Sequence, residues 1–238
     1  MRFFKREERS MRPKICLSLN CRTIEDLIEE LEEFKEYAEV IEWCVDKTEG
    51  ADQYSEEEFV HKLLMVKSFC DRKPLIIDYK GNEEIGNRIQ RWAMGHADII
   101  DIDADNTQIH QMVKEAKKKK TKTLISYHVF DHMMLKDEIA TQLLRMEKTK
   151  GDILKVACFA EKEIDTYEVL EAASAYTKLS KHKPIVAIAM GEEGQVSRIC
   201  AGEFGSIMTY ACGKEATAPG QFNARDLSRY LDKYYKGK

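Results

Sequence analysis

TKTLISYHVF (residues 121–130) and GDILKVACFA (residues 151–160) are two strand-length apolar runs, interrupted at His128 in the first and at Lys155 in the second. Between them, residues 136–148 place Ile139, Leu143, Leu144 and Met146 at helical spacing. A strand, a helix and a second strand in that order make a parallel crossover unit. By the two-residue period of a strand, Ile153, Lys155 and Ala157 share one face, as do Ser126 and His128. A lysine inside a buried strand must either reach water with its amine or be stored partly desolvated. Desolvation lowers a lysine pKa, so a larger free-amine fraction is expected at Lys155. A free amine beside an imidazole is the minimum equipment for imine formation followed by proton transfer. The blander reading is a snorkelling edge lysine and a structural histidine.

Outward from this pair the same unit recurs. Strand-like runs occur at 14–19, 38–45, 73–80, 97–103, 121–128, 151–159, 183–190 and 205–212. Helical patterns lie between them, among them 23–35 with Ile24, Leu27, Leu31 and Phe34, and a last one over 224–235. Eight such units predict an α/β fold of the (β/α)8 TIM-barrel type, with residues 1–238 as a single domain and residues 1–12 as a short charged N-terminal extension. A doubly wound open sheet competes, but it needs no eighth unit, and the first turn at Ser18 to Arg22 has no GxGxxG. Reactive groups of a barrel belong at the carboxyl ends of its strands. Glu42, Cys44, Lys80, His128, Lys155 and the run from Ser206 through Tyr210 fall on or near such ends.

Composition narrows the partners. The 42 acidic and 38 basic residues give a net charge of -4, which offers no general attraction for nucleic acid. The one basic run, Lys117 to Lys120, sits at a helix end, where cations suit the dipole. No apolar stretch is long enough to span a membrane, and MRFFKREERS has no signal-like apolar core. Seven cysteines without a CxxC, mostly inside apolar runs, point to a reducing cytoplasm. Composition thus points away from nucleic acid and membrane, and leaves a small-molecule partner and a homodimer admissible.

Other motifs sort quickly. Asp101, Asp103 and Asp105 resemble the start of a calcium loop, but Asn106 and Met112 stand where that loop needs Gly and Glu. The six histidines show no metal-ligand spacing, so neither metal nor cofactor is expected. MGEEGQVSR (190–198) follows the seventh strand, with glycines that permit close backbone approach and a guanidinium fork at Arg198 suited to a carboxylate. ATAPGQ (216–221) follows the eighth, with Thr217 and Gln221 as hydrogen-bonding groups around a Pro–Gly turn.

Taken in order, IEWCVD (41–46), KGNEEIG (80–86), SYHVF (126–130), GDILKVA (151–157), MGEEGQVSRI (190–199), FGSIMTYA (204–211) and ATAPGQ (216–221) resemble the type I 3-dehydroquinate dehydratases, Schiff-base lyases of the shikimate pathway. The resemblance runs over nearly all of residues 13–237. It implies that Lys155 forms an imine with the substrate ketone. It also implies that His128 moves the proton alpha to the imine, and that Glu84 orients His128. Arg198 would grip a carboxylate, while Glu42, Lys80, Ser18, Thr217 and Gln221 would hold ring hydroxyls or the closing loop.

The chain also departs from that family. Cys44 and Lys80 stand where arginines are usual, and Thr217 where serine is usual. Lysine keeps the charge but loses the fork, and cysteine keeps neither, so the pocket has lost oriented donors. MRFFKREERSMR is too short and charged for the usual N-terminal hairpin, although Phe3 and Phe4 could plug the barrel floor. Three readings follow: a working dehydratase, a Schiff-base lyase or isomerase for another small keto acid, and a non-catalytic barrel that binds an acid or a protein.

Overall fold

The computed structural model describes residues 12–179 and 182–237. The expected plug by Phe3 and Phe4 lies outside the described residues. Eight parallel strands run as β1 (Lys14–Leu19), β2 (Val40–Cys44), β3 (Leu75–Asp78), β4 (Ile99–Asp103), β5 (Lys122–Val129), β6 (Ile153–Phe159), β7 (Ile185–Met190) and β8 (Met208–Cys212). They alternate with α1 (Ile24–Phe34), α2 (Glu56–Ser68), α3 (Glu83–Ala93), α4 (Ile109–Lys118), α5 (Lys136–Glu147), α6 (Glu163–Thr177), α7 (Ser197–Cys200) and α8 (Ala224–Tyr234).

Neighbouring strands pair in the order β7-β6-β5-β4-β3-β2-β1-β8. The ring closes just before β8, where Ile207 N–H donates to Ile185 C=O at 2.9 Å and Ser206 Oγ accepts from Ala187 N–H at 3.2 Å. Ser206 therefore sits at the amino end of β8 and serves closure, away from the mouth where its run was expected to contribute. The fold is the expected barrel.

Local signals set the helix starts. Thr23, Ser55, Asn82 and Asn223 each cap a helix by accepting a backbone N–H with the side-chain oxygen. Ile139, Leu143 and Met146 of α5 bury against the strands, whereas Leu144, one residue past Leu143, turns outward and is exposed. The outward strand residues, for instance Leu17, Ile41, Trp43, Ile77 and Val156, join the helices in the main core.

The inward residues are layered, and this layering builds the site. At the amino ends Cys16, Val40, Ile76, Ile99, Leu124, Ile153, Val186 and Met208 fill the barrel with apolar side chains. Two residues further on, the same faces carry Ser18, Glu42, Asp78, Asp101, Ser126 and Lys155, all buried. Register holds the polar layer together: Ser18 pairs with Glu42, Asp78 with Asp101, and Ser126 with Lys155 across adjacent strands. The apolar floor denies water to the polar groups from below, so they must satisfy one another or a ligand above.

Candidate active site

A cavity of about 410 Å³ opens at the carboxyl ends of the strands, and its lining includes Ser18, Glu42, Lys80, His128, Lys155, Arg198, Thr217 and Gln221. Eight of the nine residues expected to carry the site are thus brought together. Glu84 is not among them.

Lys155 is only 5 % exposed. Its Nζ lies 3.4 Å from Asp101 Oδ2, 3.7 Å from Glu42 Oε1 and 4.0 Å from the centre of the Tyr210 ring. Burial pushes its pKa down, as the sequence suggested, but Glu42, Asp101 and Asp78 outweigh burial and hold the amine above its ordinary value. The expected increase in free amine is corrected accordingly: the resting group is an ammonium inside a carboxylate cage.

Asp101 is the hub of that cage. It accepts Ser126 Oγ–H at 2.5 Å and Lys80 Nζ–H at 2.9 Å in addition to Lys155. Burial raises its pKa, but the two lysines, His128 and Ser126 more than reverse this and hold it below the usual carboxylate range. Lys80 also donates to Ser126 Oγ at 2.7 Å and lies 3.2 Å from Asp78 Oδ1, so its ammonium is already occupied within the wall. It lines the cavity as a strut for Asp101 more than as a spare donor. Sequence reading had set Asp101 aside with the calcium-like spacing. The signal that could have found it is a carboxylate at an inward position of β4 two strands from Lys155, with the inward Ser126 between them.

His128 follows Ser126 on the same face of β5. Burial first, then the charges of Lys155 and Lys80, push its pKa well below the ordinary 6.5, with Asp101 opposing. The imidazole is therefore neutral near pH 7, the form that accepts a proton. Its ring stacks on Phe130, with centroids 5.7 Å apart and planes 6° from parallel.

Glu84 lies exposed in the first turn of α3, where its backbone N–H donates to the cap Asn82 at 3.0 Å. Among the described residues no hydrogen bond joins it to His128, so the expected orienting contact is not made. The groups acting on the imidazole are Phe130 by stacking and Lys155, Lys80 and Asp101 by charge. Glu84→Gln is expected to lower turnover less than tenfold, as suits a surface change. Steady-state kinetics beside a His128 variant checks this, and a loss equal to that of His128 would reinstate the orienting role.

Arg198 is 1 % exposed. It donates to Pro219 C=O at 2.8 Å and Tyr210 C=O at 3.4 Å, while its Nε has no hydrogen-bond partner among the described residues. Burial lowers its pKa to about 10, which leaves it charged at pH 7, and among the described residues no carboxylate pairs with it. The β8–α8 loop is tied to the cavity through Gln221, whose Oε1 accepts from Thr217 N–H at 2.7 Å. Thr217 Oγ1 donates to Ser18 Oγ at 3.2 Å, and Ser18 donates to Glu42 Oε2 at 2.6 Å. At Gly220, φ is +72° and an added Cβ would lie 2.1 Å from Gly191 C=O, so the loop's close approach requires glycine there.

A closed parallel barrel whose mouth holds a caged lysine, a neutral imidazole and an unpaired guanidinium defines the class of a Schiff-base barrel enzyme. Residues 15–238 match the family model of the type I 3-dehydroquinases, and the chain belongs to that family. It is 30 % identical over 239 residues to the 3-dehydroquinate dehydratase of Clostridioides difficile (strain 630), covering 94 % of this chain and 93 % of that protein. A solved type I 3-dehydroquinate dehydratase from Clostridium difficile, with covalently modified comenic acid, superposes with a TM-score of 0.88 at 29 % identity over 95 % of this chain and 94 % of that one. The 3-hexulose-6-phosphate synthase of Salmonella typhimurium, at 13 % identity and a TM-score of 0.59 over 93 % of this chain and 100 % of that one, shares the fold alone. Among the described residues, no helix is long and apolar enough to cross a membrane.

Proposed function

We propose that this chain dehydrates 3-dehydroquinate to 3-dehydroshikimate through an imine on Lys155, with His128 as the proton carrier. The observation that carries the proposal is the caged Lys155 ammonium in a cavity that also holds the neutral His128 and the unpaired Arg198. Before attack the ammonium gives up its proton, and Asp101 and Glu42 are the acceptors within reach. The amine then adds to the ketone carbon and water leaves. A ketone is a poor electron sink, whereas its protonated imine draws charge from the adjacent carbon. The carboxylates that held the ammonium then favour the cationic iminium by the same attraction. The raised pKa of the resting lysine is the cost of an environment built for the intermediate. His128 takes the alpha proton and returns it to the departing hydroxyl, after which water cleaves the imine.

Arg198 would receive the substrate carboxylate. Arg198→Met is expected to raise KM by about 10- to 150-fold, the equivalent of losing one charged hydrogen-bonded contact. Arg198→Lys should restore only part of this, since lysine lacks the fork. Initial-rate kinetics, beside thermal melts that report any loss of the β8–α8 loop, check the expectation.

A second reading has its own observation. Cys44 offers no guanidinium, and the Lys80 ammonium is engaged by Asp101, Ser126 and Asp78, which fits a Schiff-base lyase for a different small keto acid. Cys44→Arg is expected to lower KM for 3-dehydroquinate by about tenfold, one well-placed donor set for a hydroxyl otherwise left unpaired. Parent and Cys44→Arg both lacking turnover, alongside a Lys155 adduct with another keto acid, would move the assignment to the changed substrate. The buried cysteines, none joined in a disulfide among the described residues, support a reducing, cytoplasmic compartment. Light scattering in solution tests the homodimer.

A further inference from the structure

Beside its carboxylates, Lys155 meets an aromatic face: Nζ lies 4.0 Å from the centre of the Tyr210 ring. Tyr210 stands on the inward side of β8, in register with Cys16 of β1, and is only 3 % exposed. It belongs to the apolar cluster that also holds Ala157, Ile188 and Met190, so the ring meets the nitrogen in a dry setting. Among the described residues its hydroxyl makes no hydrogen bond to Lys155, and the ring face is what it offers. Its backbone C=O accepts from Arg198 Nη1 at 3.4 Å, a contact that a change of side chain leaves in place. The charge at Nζ is also set from the surrounding strands by Cys16, Glu42, Asp78, Lys80, Asp101 and His128.

We propose that Tyr210 is a positioning residue for Lys155, its ring face holding the nitrogen cation both as the resting ammonium and as the protonated imine. The assignment rests on the reading of Lys155 as the imine-forming group. A cation is drawn to an aromatic face by its charge, and the attraction needs no N–H. That separates the ring from Asp101 and Glu42, which lie 3.4 and 3.7 Å from Nζ and act through its protons as well as its charge. An ammonium has protons for both carboxylates. The protonated imine keeps a single N–H, so one carboxylate loses its proton contact while the ring keeps its pull. The imine is also planar, and a flat group fits a flat ring where a carboxylate edge offers only a point of contact. A cation–π contact out of water favours the charged form by roughly 10- to 30-fold. Removing the α proton depends on that charge, because the cationic imine is the electron sink. Tyr210 therefore acts on the carbon chemistry through the nitrogen it holds.

The test varies the charge of the ring at nearly constant size. Tyr210→Phe keeps the face and should recover the parent's behaviour, whereas Tyr210→Leu should not. Against Tyr210→Phe as reference, Tyr210 is replaced by 4-fluoro-, 3,5-difluoro- and 3,4,5-trifluorophenylalanine, each step drawing charge from the face. The first readout needs no substrate: labelling of Lys155 by acetic anhydride at a fixed pH below its pKa, read by peptide mapping, follows the free-amine fraction. It should rise stepwise along the series, by about tenfold in all. The second is kcat for 3-dehydroquinate, which should fall in the same order with KM little changed. A ring that merely fills space would move neither, since the side chain keeps its shape. Labelling or kcat that stays flat along the fluorinated series, or Tyr210→Leu matching Tyr210→Phe in both, would overturn the assignment. Stepwise labelling in a parent that forms no adduct with 3-dehydroquinate would instead sink the dehydratase reading and leave the contact between ring and ammonium standing, so the two fail separately.

Discussion

Lys155→Ala is expected to abolish turnover, with a loss on the order of 10⁴-fold or more, because it removes the amine that forms the covalent electron sink. Among the cavity-lining lysines, Lys47 ion-pairs with Asp46 at 2.9 Å and the Lys80 ammonium is bound to Asp101, Ser126 and Asp78. Incubation of the parent with 3-dehydroquinate and sodium borohydride should leave a reduced adduct that peptide mapping places on Lys155, and the Ala variant should leave none. An adduct on Lys80 in the variant would show that the second lysine can serve. An unmodified parent at saturating substrate would remove the covalent mechanism altogether. Stability adds a control: Lys155 answers the charges of Glu42 and Asp101, and taking one partner from a buried ion pair costs about 3–5 kcal/mol. Lys155→Met keeps more of the packing against Tyr210 and should melt above Lys155→Ala while remaining inactive.

The barrel and most of its mouth were legible because one period decides both. Each strand alternates, so once Lys155 and His128 are assigned to inward faces, Glu42 and the loop groups Thr217 and Gln221 follow from their strand ends, whereas Ser18 is implied only by the family resemblance. The protonation state of Lys155 was not legible. An apolar run around a lysine argues for a lowered pKa, but Asp101 and Glu42 lie 54 and 113 residues away in sequence, and only closure of the ring brings them within 4 Å. Glu84 failed in the other direction. Its position after β3 admits a side chain facing the mouth, but Asn82 caps α3 there and leaves Glu84 on an exposed first turn, where an acid favours the helix dipole.

His128→Ala is expected to lower kcat by about 10² to 10⁴-fold, the usual value of a positioned acid–base, while imine formation at Lys155 persists. The two effects separate experimentally: borohydride should trap the imine of intact substrate in the variant, with the mass of the undehydrated adduct. The pH dependence carries a sign. Burial, then Lys155 and Lys80, depress the folded pKa of His128 below 6.5, against the pull of Asp101. The free-enzyme acid limb of kcat/KM should therefore lie below pH 6.5, with activity lost as pH falls through that depressed value. Stability moves the same way, because between the folded pKa and about 6.5 the unfolded chain binds the proton that the folded chain refuses, so unfolding gains as pH falls. His128→Ala should flatten that part of the stability profile. Lys155→Met, which removes the larger of the two depressing charges, should raise the His128 pKa in an NMR titration of the imidazole. An unchanged titration would mean that Lys155 and the imidazole in this cavity are not electrically coupled.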